Sequence, residues 1–264
     1  DTMMTGVLHT PVRSVPTVLP RQRLLVLLTA LAVLAALTGC ASFSPDGGFT
    51  PVAHAARDRL GKDLRWSRSG ADQALIDQRV GELLARPLSA DDAVQVALLN
   101  NRGLQAGLQD LGISEAELVQ AGRLANPGFS FSRLRRGGEL ELERGLHLSR
   151  ARLIAMPMIR AAEAARLQAT QAQVTMNMLS LAAETRKAWV AALAAQETLR
   201  YRQQVLQAAE ASAELARRMA QVGNFSKLQR AREQGFHADA ALNLARAEQA
   251  RHSTRERLIR LLGL

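Results

Sequence analysis

Cysteine is nearly absent from this 264-residue chain; Cys40 stands alone. A disulfide framework within the chain and a Cys-pair zinc site are thereby excluded. The histidines, at 9, 54, 147, 237 and 252, include no two that are three or four residues apart, so the usual local metal-ligand spacing is missing as well. Aromatic residues are only 3% of the chain, although 47% of it is apolar. The apolar content is therefore mostly Ala, Leu and Val, which suits helix packed on helix rather than an aromatic-rich core. That apolar fraction also excludes a disordered chain. Proline and glycine are missing where it matters most: neither occurs in the 65 residues 158–222. There is no phosphate-binding glycine loop and no Ser/His/Asp arrangement, so the sequence offers no catalytic site and implies no cofactor.

What is present begins with an address. Arg21 and Arg23 precede an apolar run, Leu24–Leu37, interrupted only by Thr29. Fourteen residues are short for a membrane span of roughly 20 and fit the apolar region of a signal peptide. Leu37-Thr38-Gly39-Cys40 follows and resembles a bacterial lipobox. That resemblance implies cleavage after residue 39 and acylation of Cys40, by diacylglycerol and palmitate, as the lipid attachment. Ala41 and Ser42 follow without an Asp, which by the same resemblance favours the outer membrane. Removing 1–39 leaves 31 basic and 23 acidic residues, a charge of +8. Arg alternates with Glu along the helices, the pattern of solvated faces, so nucleic acid is not expected as a partner.

After the signal, 40–88 reads as an extended arm followed by a short amphipathic helix over 71–85, ended near Pro87. Ser89, with Asp91 and Asp92 behind it, caps a helix expected to run over 89–125. Asn126-Pro127-Gly128 stops it, and the apolar period changes from helical to alternating. Phe129 and Phe131 alternate with serines. Leu140, Leu142, Leu146 and Leu148 alternate with Glu139, Glu141 and Glu143 around a turn at Arg135–Gly138. This is a β-hairpin over 128–148 with one apolar and one polar face. Its arms have the length of tilted membrane strands. A soluble hairpin packed on helices has the same pattern. Pro157 marks the return to helix, and 158–222 reads as one rod. Gly223-Asn224 breaks it, and Ser226 caps a last helix over 227–262. The pair forms an antiparallel hairpin, coiled-coil in character, with its tip at 221–227.

This order of elements resembles one repeat of the TolC-like outer-membrane efflux proteins. Leu88–Leu98 is similar to the family's opening helix. Ala125–Phe129 is similar to its helix-to-strand junction. Val222-Gly223 followed by Ser226 is similar to its helical-hairpin tip. The resemblance covers about 70–264. It implies a mainly α fold: long antiparallel hairpins forming an α-barrel tunnel, and a β-hairpin contributing to an outer-membrane barrel. It also implies a homotrimer that works as a passive conduit with a periplasmic adaptor and an inner-membrane pump, lipid-anchored in the bacterial outer membrane and reaching into the periplasm. The family's protomer carries two such repeats, whereas this chain shows one. A fragment, a split gene and an assembly of six copies are each compatible with that count.

The sites follow from the same reading. Val222, Gly223, Asn224, Phe225, Ser226 and Lys227 are the expected adaptor-docking tip, with Phe225 expected to be exposed and Arg217, Arg218, Arg230 and Arg232 flanking it. Glu139, Glu141 and Glu143 are expected to face the lumen. Phe129, Phe131, Leu140, Leu142, Leu146 and Leu148 are expected to face lipid. Met176 and Met178 could suit copper(I), but they lie on different faces of a helix and equally serve as gap-filling core, so no metal is expected. The rival reading is a periplasmic helical-hairpin adaptor or scaffold lipoprotein without a barrel. It should show a β-sandwich or lipoyl-like segment on both sides of the hairpin.

Overall fold

The computed structural model describes residues 42–123, 128–136, 139–147 and 150–264; at 128–129, 134–136, 139–147, 150–151 and 153 it describes the backbone alone. The chain divides into a unit 1–42 and a unit Phe43–Leu264, and the account below concerns the second. The signal segment and Cys40 lie outside the described residues. Eight elements follow in order: α1 (Thr50–Leu60), α2 (Gly70–Leu84), α3 (Ala90–Asn100), α4 (Arg102–Ala121), β1 (Gly128–Arg136), β2 (Glu139–His147), α5 (Arg150–Gln221) and α6 (Lys227–Leu262). The architecture is mainly α, with one long antiparallel helical hairpin and one antiparallel strand pair.

The stretch read as an extended arm contains a helix. Pro51 suits the first turn of α1, and the Thr50 N–H donates to Asp46 Oδ2 at 2.8 Å. Val52 and Ala56, one turn apart, are fully buried. Two small apolar residues give too weak a period to read, so burial against α5 is what makes this segment a helix. Beyond it, the chain runs extended through Leu64 and Trp66, which enter the same core. Two glutamines take the place of a neighbouring strand. Gln95 accepts from the Asp63 N–H and donates to the Asp63 carbonyl, at 3.1 and 2.8 Å. Gln105 does the same for the Ser67 N–H and the Arg65 carbonyl, at 3.0 and 2.8 Å. The backbone of an inward-facing extended segment is thereby hydrogen-bonded without a sheet.

Helix α2 is capped by Ser69 and turns Ile76, Val80 and Leu83 inward. Ser89 caps α3 through the Asp92 N–H. Every residue from Ala93 to Leu99 is buried, so α3 is the centre of the fold and is covered all round.

The single helix expected over 89–125 is two helices. Asn101 has extended backbone (ψ 117°), ends α3 and caps α4 by accepting from the Leu104 N–H at 3.0 Å. The break is tied to the far end of the chain. Asn100 Nδ2 donates to the carbonyls of Leu262 and Gly263, and Asn101 Nδ2 donates to Leu261 O at 3.0 Å. The break lets two side-chain amides satisfy the last carbonyls of α6, which no helical N–H can reach. Gly263 (φ +74°) completes the joint: a Cβ there would overlap the Asn100 carbonyl.

Helix α5 has 72 residues, roughly 108 Å at 1.5 Å per residue. It starts at Arg150, ahead of the expected start, and contains Pro157 near its beginning. Pro157 is the eighth residue, past the first turn, so it removes the bond to the residue 153 carbonyl and crowds it, yet the helix continues through it. The first half of α5 packs on α1, α3 and α4 through Val174, Met178 and Ala182. Met178 is thus core, and Met176 is exposed on another side of the helix. The second half pairs with α6. Ala209 and Ala216 of α5, and Ala240 and Ala247 of α6, are buried and seven residues apart, the coiled-coil spacing that brings backbones close.

Candidate docking tip and membrane ribbon

Backbone bonding defines both ends of the tip. The Gly223 N–H donates to Ala220 O at 3.3 Å and the Asn224 N–H to Met219 O at 3.0 Å. These are the paired bonds of a glycine-terminated helix end. Gly223 has φ +80°, and a Cβ there would meet nothing within 4 Å. Glycine is therefore required by backbone conformation, not by crowding. Two residues later a reciprocal cap starts α6: the Gln229 N–H donates to Ser226 Oγ at 3.2 Å, and the Ser226 N–H donates to Gln229 Oε1 at 2.9 Å. The hairpin reverses within 222–226.

Exposure at the tip differs from expectation. Phe225 is half-buried. The exposed apolar side chains are Val222 at 71% and Leu228 at 62%. The period could not have shown this, because the turn rotates Phe225 off the helical register. Glu214 holds both Arg217 and Arg218, at 2.8 and 2.7 Å. Hydrogen bonds from Arg217 and then Arg218 pull its carboxyl down to about 2. Lys227, Arg230 and Arg232 are exposed and make no ion pair among the described residues. The tip is therefore a defined turn carrying two exposed apolar residues and three free cations.

The ribbon lies between α4 and α5. Its register pairs Phe129 with Leu146, Phe131 with Arg144, Arg133 with Leu142 and Arg135 with Leu140. On the other face, Ser132 pairs with Glu143, Leu134 with Glu141 and Arg136 with Glu139. The register therefore groups positions 129, 131, 140, 142 and 146 on one face and 139, 141 and 143 on the opposite one. Phe131 is 58% exposed. Leu148 lies outside the described residues, as do the side chains of Phe129, Leu140, Leu142, Leu146, Glu139, Glu141 and Glu143. One property of the ribbon lies outside the Leu/Glu alternation of β2. Arg133, Arg135 and Arg144 share the face of the phenylalanines and leucines. The alternation rule applied within each strand already puts Arg133 and Arg135 with the phenylalanines and Arg144 with the leucines, and the register joins the two sets on one face.

No helix among the described residues is long and apolar enough to cross a membrane. Among the described residues, no group of three His, Cys, Asp or Glu could hold a metal. A groove of about 530 Å³ runs between α5 and α6, floored by Leu88, Trp189 and Leu258 and edged by Arg251 and Arg255. It brings no nucleophile and base together.

No family model matches the chain, and no curated protein matches it in sequence. Its fold does match solved structures. One is a membrane protein from Pseudomonas aeruginosa, with a TM-score of 0.58 and 20% identity over 66% of this chain and 45% of that one. Another is the Campylobacter jejuni CmeC outer membrane channel, with a TM-score of 0.54 and 16% identity over 78% of this chain and 47% of that one. The chain spans about half the length of each. The class is thus set by fold: a helical hairpin protein whose helices feed one strand pair. More particularly, the fold fits a single TolC-like repeat.

Proposed function

We propose that this chain supplies one repeat of an outer-membrane export channel, a passive conduit with no chemical step. The observation that carries this reading is the position of the ribbon. Helix α4 leads into β1 and β2 leads into α5, within a fold matching half of an outer membrane channel. Two nine-residue strands suit a tilted crossing of a bilayer, but two strands alone leave their outer edges without partners. In lipid those edges must pair, so ribbons from several repeats close a barrel together. The long helices then extend as a tunnel in the periplasm. The tip at 222–227 is the surface for a periplasmic adaptor, which joins an inner-membrane pump. Cys40 carries the lipid anchor, and the copies assemble as a homotrimer of two-repeat units or an equivalent ring.

The scaffold-lipoprotein reading is less well supported. Neither a β-sandwich nor a lipoyl-like segment flanks the helical hairpin among the described residues. The two readings separate in one experiment. The chain is exported with Cys40→Ala behind a signal that is cleaved without lipidation, and membranes are washed at alkaline pH. A channel stays in the outer membrane through its ribbon. Release into the soluble periplasmic fraction would show that lipid alone had held it.

A further inference from the structure

The register places three of the ribbon's four arginines on the face opposite its three glutamates. One face holds Phe129, Phe131, Arg133, Arg135, Leu140, Leu142, Arg144 and Leu146, with three cations and no acid. The other holds Glu139, Glu141 and Glu143, with Arg136 directly opposite Glu139. Within the ribbon, the three glutamates therefore occupy positions on the face opposite that of Arg133, Arg135 and Arg144. The arginines are also grouped along the strands. On that face, Arg135 is in the pair nearest the turn, Arg133 in the next and Arg144 in the one after. Neighbours along this row are about 6.5 Å apart along a strand and about 7–8 Å apart on the diagonal across the ladder. The pair farthest from the turn, Phe129 with Leu146, is wholly apolar.

We propose that Arg133, Arg135 and Arg144 form a binding row for the phosphate groups of a phosphorylated glycolipid headgroup in the outer leaflet of the outer membrane. The inference rests on the membrane-ribbon reading above. With the helices in the periplasm, the turn end of the ribbon is the outward end, and the apolar face is the one toward lipid. Cations on such a face are tolerated near the interface and disfavoured deeper. Three of them beside one another also repel, unless an anion sits among them. Guanidinium groups match phosphate oxygens in geometry as well as charge, and all three positions are Arg rather than Lys. The face therefore has an apolar base for acyl chains and a cationic row above it for the headgroup.

The test uses the full chain purified from outer membranes and placed in phosphatidylcholine vesicles. Binding of diphosphoryl lipid A is compared with that of its dephosphorylated form, for the parent chain, for R133Q/R135Q/R144Q and for R136Q, which changes the opposite face. The parent should favour the phosphorylated lipid by about tenfold or more. The triple variant should lose that preference, R136Q should keep it, and millimolar inorganic phosphate should not displace the lipid. Equal binding of both lipids by the parent, an unchanged triple variant, an equal loss in R136Q, or displacement by free phosphate would each overturn the proposal. Alkaline-wash retention of the Cys40→Ala form is scored alongside. If that form is retained but the parent shows no phosphate preference, the glycolipid site falls and the channel stands; if it is released, both fall.

Discussion

At Gly223 two demands can be separated by substitution. The residue needs a positive φ (+80°), but its surroundings are open. Gly223→Ala should therefore cost only backbone strain, about 1–2 kcal/mol, local to the turn. Gly223→Trp adds bulk on the surface proposed to meet the adaptor. The expected result is that Gly223→Trp blocks export with outer-membrane levels unchanged, while Gly223→Ala exports nearly as the parent does. Normal export by Gly223→Trp would remove the tip from the docking account. Eight residues upstream of Val222, Glu214 titrates unusually low because Arg217 and Arg218 both bond it. A depressed carboxylate contributes above its ordinary value near 4.5, and that contribution fades as pH falls toward about 2. Nuclear magnetic resonance titration should find Glu214 near 2 in the parent and higher in Arg217→Gln. An unchanged Glu214 in that variant would mean that Arg217 is not the main cause. Asn101 serves two helices, capping α4 and bonding the last turn of α6. Its replacement by Ala should destabilise by about 1–3 kcal/mol, seen as a lower midpoint of thermal helix loss.

Helices and strands were legible in the sequence to the degree that their causes are local. The α5–α6 hairpin needed only the missing Pro and Gly over 158–222 and the pair Gly223 and Ser226, whose bonds form within a few residues. The strand pair was legible from its period of two. Three features were not. The break at Asn101 is tied to Leu261–Gly263, about 160 residues away, and the local run Asn100–Gly103 offers a cap without requiring the helix to stop there. Helix α1 exists because Val52 and Ala56 are buried by other elements, which a short alanine-rich stretch cannot announce. The early start of α5 passes through Pro157, a residue whose effect depends on its depth in the helix. The seam between α5 and α6 gives a prediction at this scale. Ala216→Leu puts a branched side chain where alanines meet and should cost about 1–3 kcal/mol. Leu215→Ala, at its exposed neighbour, should leave the chain's own stability nearly unchanged. Equal effects of the two would mean that the seam is not close-packed.

At the scale of the whole molecule, much of the long hairpin of the unit Phe43–Leu264 is left uncovered. A 72-residue helix is covered by other elements over only part of its surface, and Met158, Met176, Val190, Tyr201 and Leu215 remain exposed along it. One ribbon of two strands likewise cannot satisfy its own edges in lipid. Both features fit the proposed closed assembly of several repeats. Barrel geometry sets a minimum: about eight strands are filled by their own side chains, so an open channel needs more. Six strands, from three copies of a single ribbon, fall short of this. The direct test is the native mass of the complex extracted from outer membranes, divided by the mass of its denatured polypeptide, with the number of ribbons counted in that polypeptide. The account predicts a closed ring holding more than about four ribbons, whether from longer polypeptides or from more copies. A monomer, or a ring holding only three ribbons, would contradict it.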